Sequence, residues 1–84
     1  MKTNELKSGT RIELANGFRA TLKDNKKGNI RMALVEGIVV ERGSVYSHDI
    51  VYYMTGDGPT GEWHRVEHTP AQKELRKTVK NLFR

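Results

Sequence analysis

The sequence predicts a mainly β (α+β) fold: a small antiparallel β-barrel or meander of about five or six strands with a C-terminal amphipathic α-helix. Three observations predict it. Turn signals recur at short spacing, at Ser8-Gly9, Asn16-Gly17, Lys27-Gly28-Asn29, Arg42-Gly43 and Gly56-Asp57-Gly58-Pro59. The stretches between them are short and rich in Ile, Val, Leu and Tyr. Only the segment that opens at Thr69-Pro70 carries a helical period. At 84 residues the chain is expected to be a single domain over 1–84, its β part at 10–67 and its helix at 69–83.

The first hairpin is fixed by register. A two-residue turn at Asn16-Gly17 would put Ile12 and Leu14 on one face and Phe18, Ala20 and Leu22 on the other. A three-residue loop, Ala15-Asn16-Gly17, pairs Leu14 with Phe18 and Ile12 with Ala20, so all five share one face. Gly17 then takes the left-handed position of a G1 bulge. Glu13 falls opposite Arg19 as a cross-strand ion pair.

The same solution is expected for the second hairpin. A loop of Lys26-Lys27-Gly28 pairs Leu22 with Met32 and Ala20 with Leu34, and brings Ile30, Met32 and Leu34 onto the buried face. Lys23 and Arg31 then face each other on the outside. With Lys26 and Lys27 at the tip they make a basic knuckle, and Arg11 lies further off on the same face.

Gly37 interrupts the next apolar run, so residues 38–41 read as a strand or as a continuation past a glycine bend. Arg42-Gly43 is expected to turn the chain. Ser47-His48-Asp49 reads as a short polar turn before a strand at Ile50-Val51-Tyr52-Tyr53-Met54. Tyr52 and Tyr53 must face opposite sides. Residues 56–61 read as a loop, and Glu62 to Glu67 as a last strand with Trp63 as its largest apolar anchor. Thr69 is the expected N-cap of the helix, with Pro70 at its first position and Gln72 completing a capping box. Ala71, Leu75, Val79, Leu82 and Phe83 fall on one face, and Lys73, Arg76, Lys77, Lys80 and Arg84 on the other.

Charge is unevenly spread. Residues 1–35 carry net +5, residues 36–68 net −4 and residues 69–84 net +4, for +5 in all. Two basic surfaces and an acidic one follow from that layout. No apolar run approaches the ~20 residues of a membrane span. Residues 1–5 lead into no apolar core, so no secretory signal is expected. With no cysteine, disulfides, thiolate metal sites and cysteine nucleophiles are excluded.

The remaining constellations do not compose a reaction. His64 and His68 precede the helix, and on an extended segment four residues apart they lie ~13 Å from each other, too far to share one metal ion. His48-Asp49 has the residue types of half a catalytic dyad but no identifiable nucleophile. Gly56-Asp57-Gly58-Pro59-Thr60-Gly61 lacks the Gly-Lys-Ser/Thr ending of a phosphate loop. No enzyme, cofactor or metal site is expected.

Leu6-Lys7-Ser8-Gly9-Thr10-Arg11, Asn16-Gly17, Asp24-Asn25-Lys26-Lys27-Gly28-Asn29-Ile30-Arg31, Gly43-Ser44-Val45-Tyr46-Ser47-His48-Asp49-Ile50 and Val66-Glu67-His68-Thr69-Pro70-Ala71-Gln72 together resemble a group of short uncharacterised bacteriophage-encoded proteins. The resemblance spans nearly the whole chain. It implies a phage origin, the bacterial host cytoplasm and a part in host takeover, and it brings no site residues with it. At fold level the chain is similar to SH3-like barrels, which serve nucleic-acid and protein recognition alike.

Two functions stay open. One is a non-enzymatic module that binds RNA or DNA phosphates through Lys23, Lys26, Lys27, Arg31, Lys73, Arg76, Lys77 and Lys80, mainly by electrostatics. The other is a protein-interaction module that modulates or inhibits a host protein. The acidic middle segment, with Glu36, Glu41, Asp49, Asp57 and Glu62, favours the latter. Oligomeric state is open, because the edges of a meander must be covered or paired.

Overall fold

The computed structural model describes residues 1–56 and 61–75. Among the described residues, six antiparallel strands form one open sheet: β1 (Arg11–Leu14), β2 (Arg19–Leu22), β3 (Ile30–Glu36), β4 (Val40–Tyr46), β5 (Ile50–Thr55) and β6 (Glu62–Arg65). Their order is β4-β3-β2-β1-β5-β6, so β4 and β6 are the edges and the sheet is not a closed barrel. A 3₁₀ turn at Ser47–Asp49 joins β4 to β5. A helix, α1, begins at residue 70 and is described to residue 75. No helix among the described residues is long and apolar enough to cross a membrane.

The β1–β2 hairpin takes the expected register, with Ile12 opposite Ala20 and Glu13 opposite Arg19. The loop closes through Leu14 N–H to Phe18 O (2.8 Å) and Gly17 N–H to Leu14 O (2.9 Å). Gly17 has φ +90°, where a Cβ would be strained. Ile12, Leu14, Ala20 and Leu22 are buried on one face and join Ala33, Val45 and Ile50. Leu6 from the N-terminal segment and Val66 from the chain beyond β6 complete the core. These two segments meet in a parallel bridge between Lys2 and Glu67.

The β2–β3 register differs from the expected one by a single residue. Leu22 lies opposite Ala33, not Met32, and Ala20 opposite Val35, not Leu34. A slip of one exchanges the faces of a strand. Arg31, Ala33 and Val35 therefore face the core, while Ile30, Met32 and Leu34 face outward. The cause lies in the connection. Residues 23–29 do not close as a three-residue turn but run as a wider loop, organised by Asp24. Its carboxylate accepts the Arg31 Nε–H at 2.7 Å and the Met32 N–H at 2.8 Å.

Three further expectations are corrected. Arg42-Gly43 does not turn the chain: β4 runs straight through it, and the reversal is at residues 37–39. The Phe18 ring lies against Gly37, within 2.7 Å of where a Cβ would stand, so a larger residue there would displace the ring. Phe18 itself is 39% exposed and is not part of the core. Trp63 pairs with Met54, next in line to Tyr53, which packs on the core. Trp63 thus falls on the outer face, half-buried, with the Arg19 guanidinium 4.9 Å from its ring centroid. By the same alternation Tyr53 is the inward tyrosine of β5 and Tyr52 the outward one.

The start of α1 is as expected. Gln72 N–H donates to Thr69 Oγ1 at 3.2 Å, and Thr69 N–H donates to Gln72 Oε1 at 3.0 Å. Val79, Leu82 and Phe83 of the anticipated apolar face lie outside the described residues.

Candidate nucleic-acid interface

The residues predicted to bind phosphate divide into three groups. Lys23, Lys26 and Lys27 are exposed on the β2–β3 loop, and Lys73 is exposed on α1. Arg76, Lys77 and Lys80 lie outside the described residues. Arg31 leaves the set: it is fully buried. Its guanidinium donates to Asp24 Oδ1 and the Asp24 carbonyl, to Thr3 O at 2.7 Å and to Leu6 O at 2.8 Å. A guanidinium is a rigid fork of donors, and here the protein's own acceptors occupy it.

That clamp builds the surface around it. Arg31 ties the N-terminal segment to the β2–β3 loop, and two asparagines repeat the tie. Asn4 Oδ1 accepts the Gly28 N–H at 2.9 Å, and Asn25 Oδ1 accepts the Ser8 N–H at 2.8 Å. Between the two segments lies an open groove of about 560 Å³, lined by Met1, Asn4, Glu5, Leu6, Lys7, Asn25 and Lys27. Both asparagine carbonyl oxygens already accept backbone N–H groups, which fixes the amides so that their NH₂ groups remain as donors. Glu5 accepts the Lys2 N–H at 2.9 Å.

Ion pairing engages three of the arginines. Arg11 pairs with Glu36, Arg19 with Glu13 and Arg31 with Asp24. Lys7, Lys23, Lys26 and Lys27 enter no ion pair among the described residues. Arg11, Arg19 and Arg31 thus serve the fold, whereas Lys7 and Lys27 line the groove without an ion-pair partner among the described residues. Burial would raise the Asp24 carboxyl, but the hydrogen bond and charge of Arg31 and the Met32 N–H outweigh it and hold the pKa below its ordinary value. The Arg11 hydrogen bond lowers Glu36 in the same sense, against partial burial.

Sequence reasoning missed Lys7, Asn4 and Asn25. The available signal was turn chemistry, since Asn4, Asp24 and Asn25 are side chains that commonly bond nearby backbone. What could not be read is that two segments so far apart in sequence meet.

The histidines are used separately. His64 stacks on Tyr53 at 5.3 Å and bonds Thr55 Oγ1 at 2.8 Å. His68 Nε2 lies 2.8 Å from Ile50 O. His48 is buried, stacked on Tyr46 at 5.2 Å, and its Nε2 is 3.9 Å from Asp49 Oδ1. No group of three His, Asp or Glu side chains among the described residues could hold a metal ion.

Comparison with known protein families, curated proteins and solved structures finds no match to this chain.

Proposed function

We propose that this protein is a small non-enzymatic binding module that holds the phosphate backbone of RNA or DNA in the groove between its N-terminal segment and the β2–β3 loop. The observation that carries this reading is the division of labour among the basic side chains. Arg11 and Arg31 are held by Glu36 and Asp24, while Lys7 and Lys27 line a groove whose fixed amides also present donors. Lys23 and Lys26 are exposed on the same β2–β3 loop as Lys27. Contacts of this kind position a backbone without reading bases, so binding is weakly specific and salt-dependent.

The sheet order β4-β3-β2-β1-β5-β6, with a 3₁₀ turn between β4 and β5, supports an SH3-like assignment of the fold. A phage-encoded protein acting in the host cytoplasm is the setting we infer from the sequence resemblance.

Fluorescence anisotropy of labelled single-stranded RNA and duplex DNA, titrated at several salt concentrations, tests the reading. Binding should weaken steeply with salt, and each of Lys7→Glu and Lys27→Glu should lower the salt slope by about 1 or more. Unchanged affinity in both variants, or no binding at low salt, defeats it.

A second reading, docking of a protein partner, is favoured by the β3–β4 tip, where Ile38 is 98% and Val39 63% exposed beside Phe18. Its mark would be a host protein retained after nuclease treatment by the wild type and lost by Ile38→Asp.

A further inference from the structure

We infer that β4 is a self-association edge, on which a second copy of this chain adds its own β4 antiparallel about a two-fold axis at Gly43. The inference stands apart from the lysine groove and needs no nucleic acid.

Among the described residues the edge is open. β4 is seven residues long, Val40–Tyr46, and has β3 on one side only. It carries neither lysine nor proline, and its only charges, Glu41 and Arg42, are adjacent and of opposite sign. Its free hydrogen-bonding groups follow from the ladder. Ser47 N–H donates to Asn29 O, and Gly37 N–H donates to Val39 O. In the β3–β4 register these are hydrogen-bonded pairs, so the alternation turns Glu41, Gly43 and Val45 toward β3. Val40, Arg42, Ser44 and Tyr46 therefore direct their N–H and C=O groups away from the sheet. The side chains on that face include Val40 at 64% and Tyr46 at 55% exposed, with Ile30 at 52% beside Tyr46. These are apolar groups that a covered edge would bury.

For a second copy of the strand, charge and overlap together select the register. A two-fold pairing centred on Glu41 would oppose two glutamates, and one centred on Arg42 two arginines; both are unfavourable. Centred on Gly43, the pairing overlaps the whole of β4. Val40 then faces Tyr46 of the second copy, and Arg42 faces Ser44 of the second copy. No like charges are directly opposed. Aromatic against β-branched is a favourable cross-strand pair. The outward groups of Val40 and Arg42 meet those of Tyr46 and Ser44, so the ladder is continuous across the axis. The interface is isologous and therefore closes as a dimer.

A chain without cysteine allows a direct test. An added Cβ at Gly43 meets nothing within 4 Å, so Gly43→Cys fits. The two copies of position 43 would form a non-hydrogen-bonded pair with Cα atoms about 4.5 Å apart, within disulfide reach. Glu41→Cys is the control: on the same face, its two copies would lie roughly 13 Å apart. Under mild oxidation Gly43→Cys should give a covalent dimer and Glu41→Cys should not. Equal cross-linking of both, or of neither, overturns the pairing. Sedimentation of the unmodified protein from about 1 μM to about 1 mM should show a concentration-dependent dimer. Ser44→Pro removes one outward N–H without touching the β3 ladder and should leave a folded monomer. A wild type that stays monomeric throughout, or a Ser44→Pro variant that still dimerises, also overturns it. Anisotropy with labelled RNA is read separately, so loss of the dimer and loss of the groove are told apart.

Discussion

Arg31 Nε lies 2.7 Å from Asp24 Oδ1, with the arginine side chain wholly removed from solvent and the aspartate 13% exposed. Taking two charges out of water is costly, and here geometry offsets it: every nitrogen of the guanidinium has a partner, and the other carboxylate oxygen accepts the Met32 N–H. Removing one partner leaves the other buried and uncompensated. Asp24→Ala should therefore cost about 3–5 kcal/mol, read as a shift in urea midpoint. Arg31→Lys should cost a comparable amount, because an ammonium cannot span Thr3 O, Leu6 O and Asp24 together. If either variant unfolds within about 1 kcal/mol of wild type, the clamp is not the organiser of this loop.

The same pair sets the acid limb of stability. Asp24 and Glu36 both have pKa values below their ordinary 3.8 and 4.5 in the folded chain. A carboxylate lowered by folding contributes stability that is complete above its unfolded value and is lost as pH falls through its folded value. Stability should be level from neutral pH to about pH 5 and decline below about pH 4. Asp24→Asn should be less stable than wild type at neutral pH, with the gap narrowing toward pH 2. Circular dichroism melts across that range decide it; a gap that stays constant with pH would remove the charge from the account.

The Arg11–Glu36 pair makes a contrast. It is bidentate, with oxygen–nitrogen distances of 2.5 and 3.1 Å, but both side chains are more than a third exposed. Solvent screening limits such pairs to about 0–1 kcal/mol. Arg11→Ala should shift the thermal midpoint only slightly, and less in 1 M salt than in dilute buffer. A loss near that of Asp24→Ala would mean that the outer face is drier than its exposure implies.

How much of this was legible in the sequence depends on which force set each element. The β1–β2 hairpin was legible because apolar residues fix it: of a two- and a three-residue loop at Asn16-Gly17, only the latter puts Ile12, Leu14, Ala20 and Leu22 on one face. The capping box of α1 was legible because Thr69 and Gln72 act on neighbouring backbone. The β2–β3 register was misread because the same apolar logic was applied to Ile30, Met32 and Leu34. There a polar network outweighs it, and fully buried arginines are rare enough that sequence patterning assigns them outward. The lysines of the loop were visible as charge, whereas the groove was not. It exists only because Arg31, Asn4 and Asn25 join segments remote in sequence.

The last relationship links the helix to that junction. Gln72 is buried and uses both ends of its amide: Oε1 accepts the Thr69 N–H, and Nε2 donates to Thr3 Oγ1 at 3.0 Å. Thr3 in turn gives its carbonyl to Arg31. The start of α1 is thus tied through one threonine to the clamp beneath the groove. Thr69→Ala removes only the cap and should cost about 1 kcal/mol. Gln72→Leu leaves the buried Thr3 hydroxyl and the Thr69 N–H without their partner and should cost about 1–3 kcal/mol. Thr3→Val removes the other side of the same contact, so the double variant should cost less than the sum of the two singles, by about 0.5 kcal/mol or more. Chemical denaturation of the four proteins closes the cycle. Additive losses would show that Gln72 and Thr3 stabilise the fold independently, and that the helix is not coupled to the N-terminal segment through this bond.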